Sequence, residues 1–306
     1  MKASNKIVVV AVTKIESDII ESFVRHSLSF ADEILIADNG SFDGTQEILH
    51  RLQEERLPIH WERLPYQAEF DHAGIMLSLV RNAVERHHAD IVLPLDIDEF
   101  LVNTENGTLV KDILRDLDKE KIYHVHMYQY IPEHPYVDST QFLLSKNCLR
   151  EPLNLGEVRK GKVIVGSGVV NDKSFRLIQG CHYAYRETPN GDESIPLHVV
   201  PFVHVAHFHW RNNERYAIKS VLGWLGTASK YTVYAFSCHY MKEHYEKIIQ
   251  GEIDGFDKTM GATVAEEVNL SAFCDSHEMR YGDLAQADLL PIVLKEIRNK
   301  SLNVVK

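Results

Sequence analysis

The chain is poor in cysteine: four in 306 residues, Cys148, Cys181, Cys238 and Cys274, with no C-x-x-C pair among them. That spacing argues against a structural zinc site and leaves reduced thiols as the default. A basic surplus is missing too, since 33 Lys and Arg stand against 44 Asp and Glu for a formal net charge of −11. Nucleic-acid binders usually carry the opposite balance, so no nucleic-acid partner is expected. No stretch reaches the roughly 18 apolar residues that a membrane span needs. The first apolar run, Ile7–Val12, is too short for a signal-peptide core and reads as a buried strand. Neither HExxH nor H-x-x-E-H occurs, which removes the usual metallohydrolase spacings. These absences leave a cytoplasmic globular protein as the expectation. Its 44% hydrophobic content suffices for one large core, or for a domain with a smaller appendage.

Within the first hundred residues two periodicities alternate. Lys6–Val12, Glu33–Ala37, Ile59–Leu64 and Asp90–Leu95 are short apolar runs, read as strands buried on both faces. Between them, Asp18–Ser29, Thr45–Glu55 and Ile75–His87 space their apolar residues as helices do. Strands alternating with helices in this way predict a parallel α/β sheet whose ligands bind at the carboxyl ends of the strands. From about residue 121 the character changes. Ile122–Tyr130, Lys162–Val170 and His198–His209 read as further strands, and Glu214–Lys230 and Tyr240–Gln250 as helices. The last forty residues read as mainly helical. The expected division is a catalytic-type α/β domain over 1–212, split into halves at 1–100 and 101–212, followed by a mainly helical extension over 213–306.

Two polar turns stand at strand ends. Asp96-Ile97-Asp98 follows an apolar strand, and residues i and i+2 can aim two carboxylates at one point. Hard divalent cations take such oxygen ligands and bridge readily to phosphates, whereas burying the acids without a counter-charge costs several kcal/mol each. A solvated acidic turn is the plain alternative. Asp38-Asn39-Gly40-Ser41-Phe42-Asp43-Gly44-Thr45 is the second turn; its glycines permit positive φ, and Asp38 is placed to bond a ribose or base. An ordinary strand-to-helix turn is the alternative there. In VHVAHFHW, alternation puts His207 and His209 on one face, as ligands or as hydrogen-bonded core residues. Trp210 beside them suits a core position, or stacking on a sugar ring. Lys162, with Arg159, Arg176 and His182 nearby in sequence, is a candidate cation for a diphosphate leaving group.

The segment from VVVAVTKIESD through ADNGSFDGTQEIL, then LVRNAVER and ADIVLPLDIDEFL, resembles the catalytic domain of glycosyltransferase family 2. The branch it resembles carries N-E-x-x-I-L-x-x-W-x-x-H near its start and D-x-D-E-F later. A shorter stretch, His207 to Glu214, resembles that branch's H-Y/F-x-x-R-S-x-E segment. The family's Asn-Glu in the first loop is replaced here by Lys14-Ile15-Glu16. The resemblance implies a GT-A fold and an inverting, metal-dependent transfer of a sugar from a nucleotide-sugar donor to a hydroxyl. It places Thr13, Glu16, Asp38, Arg81 and Asp96 toward the donor, with Asp96, Asp98 and His207 as ligands of Mn2+ or Mg2+; Asn39, from its turn, and Lys162, from its charge, are read toward the donor on their own. A carboxylate must take the acceptor proton, and Glu157, Asp192 and Glu193 are the candidates. UDP-sugars lead the donors, with dTDP- and GDP-sugars fitting as well. The acceptor is expected to be a glycan, a lipid-linked glycan or a protein, in surface-polysaccharide or related biosynthesis. Peripheral contact with the inner face of a membrane and a homodimer through the C-terminal helices are further expectations. A nucleotidyltransferase is the enzymatic rival, disfavoured because AVTKIESD has no glycine for a phosphate loop; a catalytically inactive nucleotide-sugar-binding scaffold is the other.

Overall fold

The Ile7–Thr13 run becomes the central strand because its period-2 alternation divides it between two apolar layers. Ile7, Val9 and Ala11 pack on one face, Val8 and Val10 on the other. A computed structural model describes residues 4–65, 71–103, 109–153, 160–228, 239–252, 266–272, 274–286 and 288–295. Its first half contains β1 (Ile7–Thr13), β2 (Glu33–Asp38), β3 (Ile59–Arg63) and β4 (Ile91–Pro94), paired in parallel in the order β4-β1-β2-β3. Helices α1 (Ile20–Ser27) and α2 (Thr45–Glu54) cover one face through Phe23, Val24, Ile48, Leu49 and Leu52. Helix α3 (His72–Glu85) covers the other through Met76, Leu79, Val80 and Ala83. Burying each such side chain stabilises the fold by about 1.5–3 kcal/mol, so the sheet is held by both layers.

The second half is mixed. It holds β5 (Glu99–Asn103), α4 (Val110–Arg115), β6 (Ile122–Pro132), β7 (Asn147–Arg150), β8 (Gly161–Gly166), α5 (Ser167–Val170), β9 (Phe175–Leu177), β10 (Ala184–Thr188), β11 (Gly191–Ser194) and β12 (Leu197–His207). Strand β8 joins β4 antiparallel, β6 joins β8 antiparallel, and β12 lies parallel to β6 and antiparallel to β5. Strands β9, β10 and β11 form a separate three-stranded sheet. A mostly parallel half continued by a mixed half is the α/β arrangement expected from the sequence. One expected strand is corrected: Lys162–Val170 extends only to Gly166. There the backbone turns into α5, because Ser167 N donates to Asp90 O at 2.9 Å and Gly168 N to Lys119 O at 2.9 Å.

Beyond β12 come α6 (Asn213–Ala228) and α7 (His239–Ile249), packed with Leu289, Leu290 and Val293 in a third apolar cluster. The expected helical character of the tail is broken by β13 (Glu266–Asn269), which pairs antiparallel with β7. This segment is thereby stitched to the main sheet.

Candidate metal centre

Strands β1, β2 and β4 end together, and their tips carry Thr13, Asp38 and the Asp96–Asp98 turn. Glu99 N donates to Asp96 O at 3.0 Å, so the two acids sit in a tight turn and not in extended chain. That turn separates them. Asp98 is 1% exposed and meets His207 Nε2 at 3.3 Å and the ammonium of Lys219. His209 completes the group: one ligand atom from each of Asp98, His207 and His209 lies within 4.8 Å of the other two. Gln129 Nε2 lies 2.9 Å from His207 Nδ1, which anchors the ring and leaves Nε2 toward Asp98. Burial would raise the Asp98 carboxyl, but Lys219 and His207 outweigh it and hold it well below the ordinary range. Burial, with Lys219 and His207 adding, pushes His209 well below its usual value. A carboxylate and a neutral imidazole are the forms in which these side chains bind metal.

Asp96 faces elsewhere. Its carboxylate is a third exposed and accepts from Lys162 Nζ at 2.8 Å, with His72 Nε2 at 3.3 Å. Lys162 is 1% exposed and also reaches Glu99 at 2.9 Å. Burial pushes Glu99 up to about 8 against the pull of Lys162.

A second ionic group braces the loop after β1. Arg211 Nε donates to Asp18 at 2.7 Å and Arg211 Nη2 to Glu16 at 2.6 Å, while Arg215 lies 3.2 Å from Asp43 and 3.7 Å from Asp18. Asp38 is fully buried and accepts from Gly40 N, Ser41 N and Gln46 Nε2, so it shapes its own turn, with Asn39 buried beside it. Thr13 Oγ1 is buried at the tip of β1 with no hydrogen-bond partner among the described residues.

The structure therefore brings together Asp98 and His207 and adds His209, while Asp96 joins Lys162 outside that group. Glu16 is present through Arg211. Arg81 donates to the carbonyls of Lys173 and Phe175, both at 3.3 Å, holding the start of β9. Asp192 and Glu193 are exposed on β11 opposite Glu187 and Arg186. Glu157 lies outside the described residues, as does Arg159. Trp210 is 4% exposed and donates to Asn213 Oδ1 at 3.1 Å, a core position. Lys219, Arg215, His72, Asp18 and Gln129 were not anticipated. One signal was available: Arg211, Arg215 and Lys219 stand four apart just after the histidines, a spacing that aligns side chains on one helical face.

No protein-family model and no curated protein matches the chain. Among solved structures it is similar to a mannosyltransferase from Pyrobaculum calidifontis solved with GDP-Man and Mn2+, at 15% identity and a TM-score of 0.37, covering 89% of this chain and 79% of that one. It is also similar to glucosyl-3-phosphoglycerate synthase from Mycobacterium tuberculosis, at 16% identity and a TM-score of 0.33, covering 74% and 81% of the two chains. Likenesses this distant assign neither activity nor substrate.

Proposed function

We propose that the chain is a metal-dependent glycosyltransferase that draws its sugar from a nucleoside-diphosphate sugar. The observation that carries this reading is the convergence of Asp98, His207 and His209 at the carboxyl ends of parallel strands, where α/β sheets take their ligands. The donor set fits a divalent ion: one buried carboxylate and two imidazoles, one of them held by Gln129, suit Mn2+ better than Mg2+, which prefers an all-oxygen shell. Thr13 Oγ1, on the neighbouring strand and buried with no partner among the described residues, leaves a polar group for a ligand to satisfy. When bound, such an ion supplies Lewis-acid stabilisation of a departing diphosphate.

The chain's own residues supply the rest. Lys162 and Lys219 set two ammonium groups beside the acid pair, a counter-charge suited to two anionic phosphates. Arg211 clamps the loop carrying Glu16 and Asp18 against the histidine segment, fixing the wall where a nucleotide would lie. Transfer with inversion needs a carboxylate to take the acceptor proton, and Asp192, Glu193 and Glu157 remain the candidates. A UDP-sugar donor, a glycan or lipid-linked acceptor in surface-polysaccharide biosynthesis, peripheral residence on the inner membrane face and a homodimer complete the proposal. Thermal denaturation with UDP or GDP, with and without Mn2+, tests it. Nucleotide at 100 times its Kd should stabilise the chain by about 2.7 kcal/mol, only when Mn2+ is present and not in Asp98→Ala. No stabilisation by any nucleoside diphosphate with Mn2+ would overturn it.

A further inference from the structure

A different set of metal-competent side chains meets at the other end of the parallel sheet. Glu33 opens β2, His60 is the second residue of β3, and His87 follows the end of α3. One ligand atom from each lies within 4.8 Å of the other two. Glu33 and Asp38 begin and end the same strand, which at roughly 3.3 Å per residue puts the tips about 16 Å apart. The two sites are therefore separate.

We propose that Glu33, His60 and His87 form a second metal site, for a first-row divalent transition metal of the zinc class. The donor chemistry is two imidazoles and one carboxylate, the three-ligand set that zinc accepts while keeping a position for water. Tetrahedral zinc with bonds of about 2.0–2.2 Å holds its donor atoms roughly 3.4 Å apart. His60 Nε2 already stands 3.5 Å from Glu33 Oε2. His87 Nδ1 is hydrogen-bonded to that same oxygen at 2.6 Å, so admitting an ion requires this pair to open by under about 1 Å. Lys6 Nζ holds the other carboxylate oxygen, Oε1, at 2.5 Å, which fixes the group with Oε2 facing both rings. The rings approach to 4.8 Å between centroids, tilted by 60°. His60 is about half exposed and Glu33 and His87 mostly buried, so an ion would reach solvent on the His60 side while its other two ligands are held by the fold. Bound there, it would tie edge strand β3 and the end of α3 to β2 through a single ion.

Zinc alone is the probe, titrated in competition with a chromophoric chelator. The chain carrying Asp98→Ala and His207→Ala, which removes two ligands of the centre described above, should still bind one equivalent. Adding His60→Ala should weaken that binding by more than the roughly tenfold typical of losing an outer-sphere partner, and His87→Ala should do the same. In the otherwise unaltered chain, His60→Ala should remove one equivalent of zinc while leaving nucleotide-dependent stabilisation intact. His60 is half exposed, so its replacement leaves the fold in place, which circular dichroism verifies. The proposal is overturned if the Asp98→Ala/His207→Ala chain takes up no zinc, or if His60→Ala changes neither stoichiometry nor affinity. Because the readout is zinc alone, its failure would leave the glycosyltransferase reading standing, and the converse holds too.

Discussion

Replacing Arg211 by methionine tests the ionic brace that joins the two halves of the site. Arg211 and Arg215 oppose three carboxylates, Glu16, Asp18 and Asp43, and Arg211 is only 3% exposed. Arg211→Met leaves one guanidinium against three acids. Removing one partner of a buried pair costs about 3–5 kcal/mol. The structure places the loss at the low end of that range near pH 7, because Glu16 can shed its charge. Burial already raises Glu16 to about 7, with Arg211 and Lys219 pulling it down. Without Arg211 its folded pKa climbs further above the unfolded value, so the variant retains a proton that the parent releases. A carboxyl with a raised folded pKa contributes stability that is fully present below the unfolded pKa and lost as pH rises through the folded one. The difference between parent and variant should therefore be about 3 kcal/mol at pH 6 and should widen above pH 7, by roughly 1.4 kcal/mol for each unit of extra shift. Urea denaturation at pH 6.0, 7.0 and 8.5 measures it. Arg211→Lys should recover only part, since a single ammonium cannot span Asp18 and Glu16 as the fork does. A loss under about 1 kcal/mol, or one independent of pH, would refute the reasoning.

Asp98→Ala should abolish Mn2+-dependent nucleotide binding by calorimetry and lower kcat/KM by at least about 100-fold, or 2.7 kcal/mol; full transfer activity in EDTA would contradict the metal role. His26, buried against Phe30 and Phe100 with its Nε2 2.8 Å from Leu101 O, is pushed down to about 4 by burial despite that carbonyl. Its folded pKa lies below the unfolded one, so stability should fall as pH drops from 6.5 through 4, by up to about 3 kcal/mol, and His26→Gln should flatten that limb of a urea-midpoint profile. Gly44 adopts φ of +100° and a Cβ there would meet Leu284 O at 2.1 Å. Gly44→Ala should cost about 1–3 kcal/mol and raise amide exchange at Leu284 and Ala285, which pack on that turn.

The parallel half was legible because a strand buried on both faces must be apolar at every position, and Ile7–Val12 and Ile91–Leu95 meet that demand without help from distant chain. Asp96 and Asp98 were legible for the converse reason, being acids where the local pattern calls for burial. Partners were harder. Lys162 lies 66 residues from Asp96, and Arg211 lies 193 from Asp18. Such pairings depend on which strands become neighbours, which periodicity does not encode. The strand over Lys162–Val170 was overestimated because Val169 and Val170 are as apolar as a strand requires, yet carbonyls from other loops capture the backbone at Ser167 and Gly168. Asp192 and Glu193 rest on residue type alone in the sequence, and the structure adds only their exposed register on β11.

Two acids spaced as Asp96 and Asp98 are expected to converge on one ion, yet the turn closed by Glu99 N sends them to different cations. Asp96 belongs with Lys162 of β8, on the side where β4 meets the mixed half. Asp98 belongs with Lys219 of α6 and His207, the last residue of β12. Each acid therefore reports on a different piece of the second half, and Ile97, 2% exposed, anchors the turn between them in the core. Any ligand that draws both carboxylates to itself must loosen a lysine from each, so its binding would shift β8 and α6 together. A strand tip built this way couples the binding of such a ligand to β8 and α6 at once, whereas two acids sharing one cation would leave those elements independent.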